Sequence, residues 1–306
     1  MKNTIRIGTR NSPLALWQAQ EVAQALEQHQ YRTEICPIVS SGDKNLNQPL
    51  YAMGITGVFT KDLDWALLNS EIDIAVHSLK DVPTQLPQNI SLWAYLERDF
   101  PQDVLVRAEK AQHLPLHELK IATSSLRRRA FWLREFKDTA FVDIRGNVQT
   151  RLKKLSEEGI ADATLFSLAG IKRLNLDLHY EPLHFMLPAP AQGVVTIAGR
   201  TDDADIAEAL QRINHQPTQK CVEIERLFLQ TLEGGCTAPI GAFAEFIDDD
   251  TVRFRGQLTS LNGKDSLEIE EVFKYEPHQD FGYHLAQDLL NRGGKDIMQS
   301  IKQNLP

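Results

Sequence analysis

Thr4-Ile5-Arg6-Ile7-Gly8-Thr9 runs directly into Arg10-Asn11-Ser12-Pro13-Leu14-Ala15, a strand passing straight into a helix. The first six residues alternate apolar and polar side chains as a strand does. Ser12 then stands as an N-cap ahead of a proline at the first helical position, which opens a helix over residues 14–28. The same strand-to-helix order continues with a strand over 32–39, a helix over 60–69, a strand over 73–76, and strand-like runs at 90–96 and 103–106. It then restarts: strand 120–123, helix 126–135, strand 140–144, helix 148–157, strand 161–166 and helix 168–174. Two α/β units, each with a mostly parallel sheet, are the expectation. Residues 99–102 and 187–193 are turn-rich, contain prolines that remove backbone donors, and are expected hinges. Beyond a helix over 217–231, three strand-like runs (241–247, 252–260 and 267–275) and a helix over 281–291 indicate a small C-terminal α+β domain.

A chain of 306 residues, 42% hydrophobic and 24% charged, has enough apolar material for two or three cored domains. No apolar run resembles a signal peptide or a membrane span, so a soluble protein with no membrane partner is expected. Three cysteines, Cys36, Cys221 and Cys236, are too few and too scattered for a disulfide framework or a zinc cluster, which suits the reducing cytoplasm. His113 and His117 straddle Pro115, and no His-Glu-x-x-His occurs, so no metal is expected. P-loop, Gly-x-Gly-x-x-Gly and Gly-x-Ser-x-Gly patterns are also absent.

The net charge of -8 conceals an uneven distribution. Residues 120–173 carry twelve Lys or Arg against six Asp or Glu, a local excess of +6 that leaves -14 on the remainder. An anionic ligand at this segment is the simplest reason for it. Thr123-Ser124-Ser125-Leu126-Arg127-Arg128 and Arg145-Gly146-Asn147 both place cations at strand-to-helix turns, which share one edge of a parallel sheet. Ligands of open α/β sheets collect there, so Arg127, Arg128, Arg145 and, one helical turn on, Arg151 can converge on a carboxylate. A solvated basic helix face explains the same residues. Asp81, beside Lys80 in Val76-His77-Ser78-Leu79-Lys80-Asp81-Val82-Pro83, either pairs with that lysine or stabilises a cation formed during reaction. Cys236, in Glu233-Gly234-Gly235-Cys236-Thr237-Ala238-Pro239-Ile240-Gly241, is set among glycines that present a thiol openly, as an attachment point or as a bland turn residue.

Taken in order, these motifs, with Gly8-Thr9-Arg10-Asn11-Ser12-Pro13-Leu14-Ala15 and Ala169-Gly170-Ile171-Lys172-Arg173-Leu174, resemble the porphobilinogen deaminase (hydroxymethylbilane synthase) family over nearly the whole chain. The resemblance implies two α/β domains like the halves of a periplasmic binding protein with a cleft between them, residues 1–97 with 194–214 and residues 101–188, plus a small α+β domain over 217–306. It implies a monomeric cytoplasmic transferase of tetrapyrrole biosynthesis. A dipyrromethane cofactor would be held by a thioether to Cys236. Porphobilinogen, losing ammonia to an electrophilic azafulvene, would be added stepwise, and hydrolysis would release hydroxymethylbilane. By the same resemblance Asp81 and Lys80 are catalytic. Arg10, Ser12, Lys80, Ser125, Arg127, Arg128, Arg145, Asn147, Arg151, Arg173 and Gln192 bind cofactor or substrate carboxylates. The chain departs from the family pattern at Ser41, Thr56, Ala191 and Ala198, where Thr56 replaces a cation and Ala191 a glycine. The same residues also fit a non-catalytic two-lobed anion-binding protein, against which the lack of an export signal counts, or a cysteine acyl-transfer enzyme. Nucleic acid as a partner is not expected, because the rest of the chain is acidic and no aromatic-rich recognition motif accompanies the arginines.

Overall fold

The computed structural model describes residues 4–39, 60–232 and 238–305. In chain order its regular elements begin with β1 (Ile5–Arg10), α1 (Pro13–Gln28), β2 (Thr33–Ile38), α2 (Lys61–Leu68), β3 (Ile74–Ser78) and β4 (Ile90–Tyr95). They continue with β5 (Asp103–Arg107), β6 (Ile121–Ala122), α3 (Leu126–Glu135), β7 (Phe141–Val142), α4 (Val148–Ser156), β8 (Ala163–Ser167), α5 (Leu168–Arg173) and β9 (Glu181–Pro182). Last come β10 (Val195–Arg200), α6 (Ala204–Gln211), α7 (Gln216–Thr231), β11 (Ile240–Phe246), β12 (Thr251–Thr259), β13 (Ser266–Lys274), α8 (Phe281–Leu289) and α9 (Lys295–Asn304).

Two compact units result. Of the described residues, one takes those up to Asp99 and again from Gly193 to Lys220; the other takes Phe100–Gln192 and those from Cys221 onward. The passages at Asp99 and Gln192 fall in or beside the two proline-containing stretches picked out in the sequence. In the first unit the strand order is β2-β1-β3-β10-β4, and in the second β7-β6-β8-β5-β9. The two layouts match. Neither sheet is mostly parallel: β1 runs parallel to β2 and β3, but β10 is antiparallel to β3 and β4. Likewise β6 is parallel to β7 and β8, while β5 is antiparallel to β8 and β9. The antiparallel pairings have a physical reason. Strands joined through a crossover helix must run parallel, whereas β5 and β10 enter their sheets from turn-rich stretches with no such helix to set their direction.

The helix that opens the chain forms as its sequence dictates. Ser12 Oγ accepts the Ala15 amide at 3.3 Å, Pro13 occupies the first turn, and Ala15, Ala19, Val22, Ala23 and Leu26 make the buried stripe. That stripe lies against Ile5 and Ile7 of β1 and Ile74 and Val76 of β3. The C-terminal domain is a three-stranded antiparallel sheet, β11-β12-β13, covered by α7, α8 and α9. Phe228 and Phe254 meet at its centre with ring centroids 5.0 Å apart. The helix expected over 281–291 is α8, and an unexpected second helix, α9, follows it; Gly293, at φ 107°, adopts a left-handed conformation that separates the two.

One buried carboxylate ties this domain to the second sheet's crossing segment. Glu225 of α7 is 0% exposed, and its two oxygens accept the amides of Ala191 at 2.6 Å and Ala244 at 2.7 Å. The Ala242 amide donates to Pro188 O at 3.1 Å beside it. Ala191 itself sits at φ 64°, the left-handed region, which costs a residue with a Cβ roughly 1–2 kcal/mol. Ala191→Gly therefore raises stability by about 0.5–1 kcal/mol after glycine's extra backbone entropy is subtracted. The check is the urea midpoint at unchanged m-value; a lower midpoint shows that the buried methyl group packs too well to lose.

Candidate functional site

Adjacent parallel strands end at the same sheet edge, and this places the first group of residues. The β1–β3 register pairs Ile7 with Ile74 and Gly8 with Ala75, which carried on puts Arg10 level with His77, one residue short of Ser78. Beyond Arg10 lies the Ser12 cap, with Thr9 Oγ1 donating to Ala15 O at 2.9 Å. Beyond Ser78 the chain makes a single 3-10 turn, Leu79–Asp81, anchored by buried Leu79, whose amide donates to Val194 O at 2.9 Å. Gln18 Nε2 of α1 donates to Ser78 Oγ at 2.8 Å and ties the two segments together. Arg10, Ser12, Lys80 and Asp81 are therefore gathered, each only half-buried, at the carboxyl edge of the first sheet. His77, just behind them, is held down to about 4 by burial and then by the Arg10 charge, so it is neutral at neutral pH and adds no cation to this edge.

The second sheet repeats the arrangement. The parallel strands β7, β6 and β8 deliver Arg145-Gly146-Asn147, Ser124-Ser125 and α5 to one edge. Ser124 Oγ accepts the Ile144 amide at 3.0 Å and donates to Ile144 O at 3.1 Å, stitching two of these turns together. Ser125 caps α3 by accepting the Arg128 amide at 3.4 Å, and Asn147 caps α4 by accepting that of Thr150 at 2.8 Å. Gly146, at φ 114°, has no room for a side chain, since a Cβ would come within 2.6 Å of the Thr150 methyl. Arg151 Nε grips Gly146 O at 2.8 Å. Arg145 is 8% exposed and Arg173 9%, a depth at which a guanidinium must be met by acceptors.

Arg127 and Arg128 do not form a solvated basic helix face. They are buried, not solvated, and both hold Asp103 at the start of β5. Arg127 Nη2 donates to Asp103 Oδ2 at 2.6 Å, while Arg128 Nε and Nη2 reach Oδ1 at 3.0 and 2.7 Å. Burial lowers the Arg127 pKa against the opposing pull of Asp103. Within the segment Arg129 pairs with Asp143 at 2.7 Å and Lys153 with Glu157 at 3.7 Å, acids already counted in the +6, while from outside it Glu268, like Asp103, answers an arginine, Arg134. Part of the +6 is thus structural.

Gln192 is fully buried and its Nε2 donates to Pro101 O at 2.7 Å, joining the two stretches through which the chain passes between units. Cys236, Ser41 and Thr56 lie outside the described residues. Ala198, where the family pattern has glutamate, is buried among Leu63, Leu67 and Ile72. Asp103 and Glu225 were not singled out from sequence; a lone acid heading the apolar run Asp103-Val104-Leu105-Val106 was the available signal for the first. Among the described residues no cluster of His, Cys, Asp and Glu is arranged to hold a metal, and no helix is long and apolar enough to cross a membrane.

Comparison with known proteins gives these edges a context. The model of the porphobilinogen deaminase dipyrromethane cofactor binding domain matches residues 5–208, and that of the porphobilinogen deaminase C-terminal domain matches residues 219–291. The chain is 40% identical over 304 residues to the porphobilinogen deaminase of Syntrophomonas wolfei, covering 97% of this chain and 98% of that one. It is 42% identical over 310 residues to the chloroplastic porphobilinogen deaminase of Pisum sativum, covering 97% and 84%. Among solved structures it is similar to the periplasmic VFT2 domain of Bordetella pertussis BvgS (TM-score 0.42, 13% identity, 69% and 86% covered). It is also similar to the probable amino-acid-binding protein YtmK of Bacillus subtilis (TM-score 0.41, 13% identity, 74% and 98% covered). Two family models spanning almost the full chain, and a relative 40% identical over 98% of its own length, leave one conclusion: the chain belongs to the porphobilinogen deaminase family of transferases.

Proposed function

We propose that this chain builds hydroxymethylbilane by adding porphobilinogen units to a dipyrromethane primer linked by a thioether to Cys236, with Asp81 and Lys80 at the reacting end. The observation that carries the reading is that Arg127, Arg128 and Arg145, at the turns along the carboxyl edge of the second sheet, and Arg173, at the far end of α5, are all buried nine-tenths or more. Each pyrrole unit brings an acetate and a propionate, and planar guanidiniums are the donors best matched to carboxylates. The residues present therefore fit the cofactor. When bound, it supplies the nucleophilic pyrrole end that new units join.

On this reading Ser125, Arg127, Arg128, Arg145, Asn147, Arg151 and Arg173 hold and orient carboxylates, while Arg10, Ser12 and Lys80 do so at the first sheet. Gln192 acts by fixing the backbone at Pro101. Asp81 keeps a fixed negative charge where positive charge develops on a pyrrole nitrogen and guides the proton that leaves it. The domain limits that go with it are residues 1–97 with 194–214, 101–188 and 217–306. The protein acts as a cytoplasmic monomer with no nucleic-acid partner.

Arg145→Leu and Arg173→Leu test the reading directly. A charge-assisted bond contributes about 1.5–3 kcal/mol, so each variant raises KM for porphobilinogen, or lowers primer occupancy by intact mass, at least about tenfold. Unchanged KM and occupancy in a variant remove that arginine from the site.

A further inference from the structure

We propose that Asp103 is a positioning residue for this reaction: a built-in counter-anion that holds Arg127 and Arg128 together and sets their pair at one net positive charge, ready for a single ligand carboxylate. The inference rests on the reading of these arginines as carboxylate receptors and adds the residue that tunes them. Asp103 opens β5 and pairs in register with Ser167, the last residue of β8, so it stands at the carboxyl edge where the second sheet's ligand groups gather. It is 0% exposed and cannot swing into solvent.

The two guanidiniums need such an anion. They are consecutive in sequence, buried, and carried on the first turn of α3, where the helix dipole is already positive. Two more acceptors fix their outer nitrogens: Leu187 O takes Arg127 Nη1 at 2.6 Å and Leu165 O takes Arg128 Nη1 at 2.9 Å. Asp103 and these carbonyls thus engage five donor contacts of the two side chains among the described residues. Two guanidiniums carry ten N–H groups, so capacity for a further acceptor is built in. With one carboxylate against two cations, the three side chains together fall one negative charge short of neutrality. A ligand carboxylate supplies that charge.

A purely structural ion cluster would show the same contacts, and charge arithmetic separates the two roles. Arg128→Gln leaves Arg127 against Asp103, a neutral pair. Asp103→Asn alone leaves two uncompensated buried guanidiniums and lowers the thermal midpoint. The informative variant is the double Asp103→Asn/Arg128→Gln, which restores one net positive charge. The readouts are the fraction of purified full-length chain that carries the primer, by intact mass, and the thermal midpoint.

The expected result is that Arg128→Gln is loaded about tenfold less than wild type while the double variant returns to within about threefold of it. The inference is overturned if the double variant, melting within a few degrees of Arg128→Gln, is loaded no better. Normal loading of Arg128→Gln overturns the receptor reading itself, and the role of Asp103 with it.

Discussion

Asp81→Ala lowers kcat for porphobilinogen consumption by about 10²–10³-fold, with KM changed only a few-fold and the thermal midpoint unchanged. The size follows from the task. A fixed carboxylate beside a developing cation acts only where charge is greater in the transition state than in the bound substrate, so its loss falls on kcat rather than on binding. The unchanged stability follows from the turn. Its shape is held by backbone bonds from Leu79 N to Val194 O at 2.9 Å and from Val82 N to Leu79 O at 3.1 Å, and by burial of Leu79. None of these uses the Asp81 side chain. Asp81→Asn, which keeps size and removes charge, falls nearly as far as Asp81→Ala if charge is the working property. Lys80→Met, losing a carboxylate partner instead, raises KM more than it lowers kcat. Turnover near the wild-type rate in Asp81→Ala removes Asp81 from the mechanism.

The elements that were legible in sequence are those whose signals are local. α3 and α4 start where Ser125 and Asn147 cap them, and both caps are made as the residue types suggest. Strand direction is not a local property, so the antiparallel β5 and β10 were invisible to a pattern of alternating strands and helices. β10 was missed altogether, because Val195–Arg200 follows directly on a proline-containing turn whose breakers dominate the local pattern. α9 was hidden in the same way by Gly293 and Gly294.

The site divides along a similar line. Arg10, Ser12, Lys80 and Asp81 share an edge because adjacent parallel strands end together, a consequence of topology that the motif positions carried. Asp103 carries only a weak local signal, a lone acid at the head of an apolar run, and nothing that ties it to the arginines. It lies 24 and 25 residues from the arginines it holds, and only folding brings the β5 terminus against the first turn of α3. A basic stretch read by itself therefore overstates the charge offered to a ligand, since acids elsewhere in the chain cancel part of it.

Cys236→Ser produces the largest loss: the purified protein has the mass of its sequence alone, and porphobilinogen turnover falls by at least about 10³-fold. Wild type carries an adduct equal to two pyrrole units. The other two thiols make poor anchors. Cys221 is buried in the C-terminal core beside Ile224 and Phe228. Cys36 has its pKa raised by burial first and by Glu34 next, and the thiolate is the form that attacks. Neither offers what a glycine-flanked thiol offers, so Cys36→Ser and Cys221→Ser keep the adduct. Serine in place of Cys236 retains size and polarity but presents a hydroxyl that is scarcely ionised at neutral pH, so the carbon–sulfur bond has no counterpart. A thioether, unlike a disulfide, does not exchange with thiols, so the wild-type adduct survives incubation with dithiothreitol. An adduct that persists in Cys236→Ser, or that dithiothreitol removes from wild type, contradicts attachment of this kind at this residue.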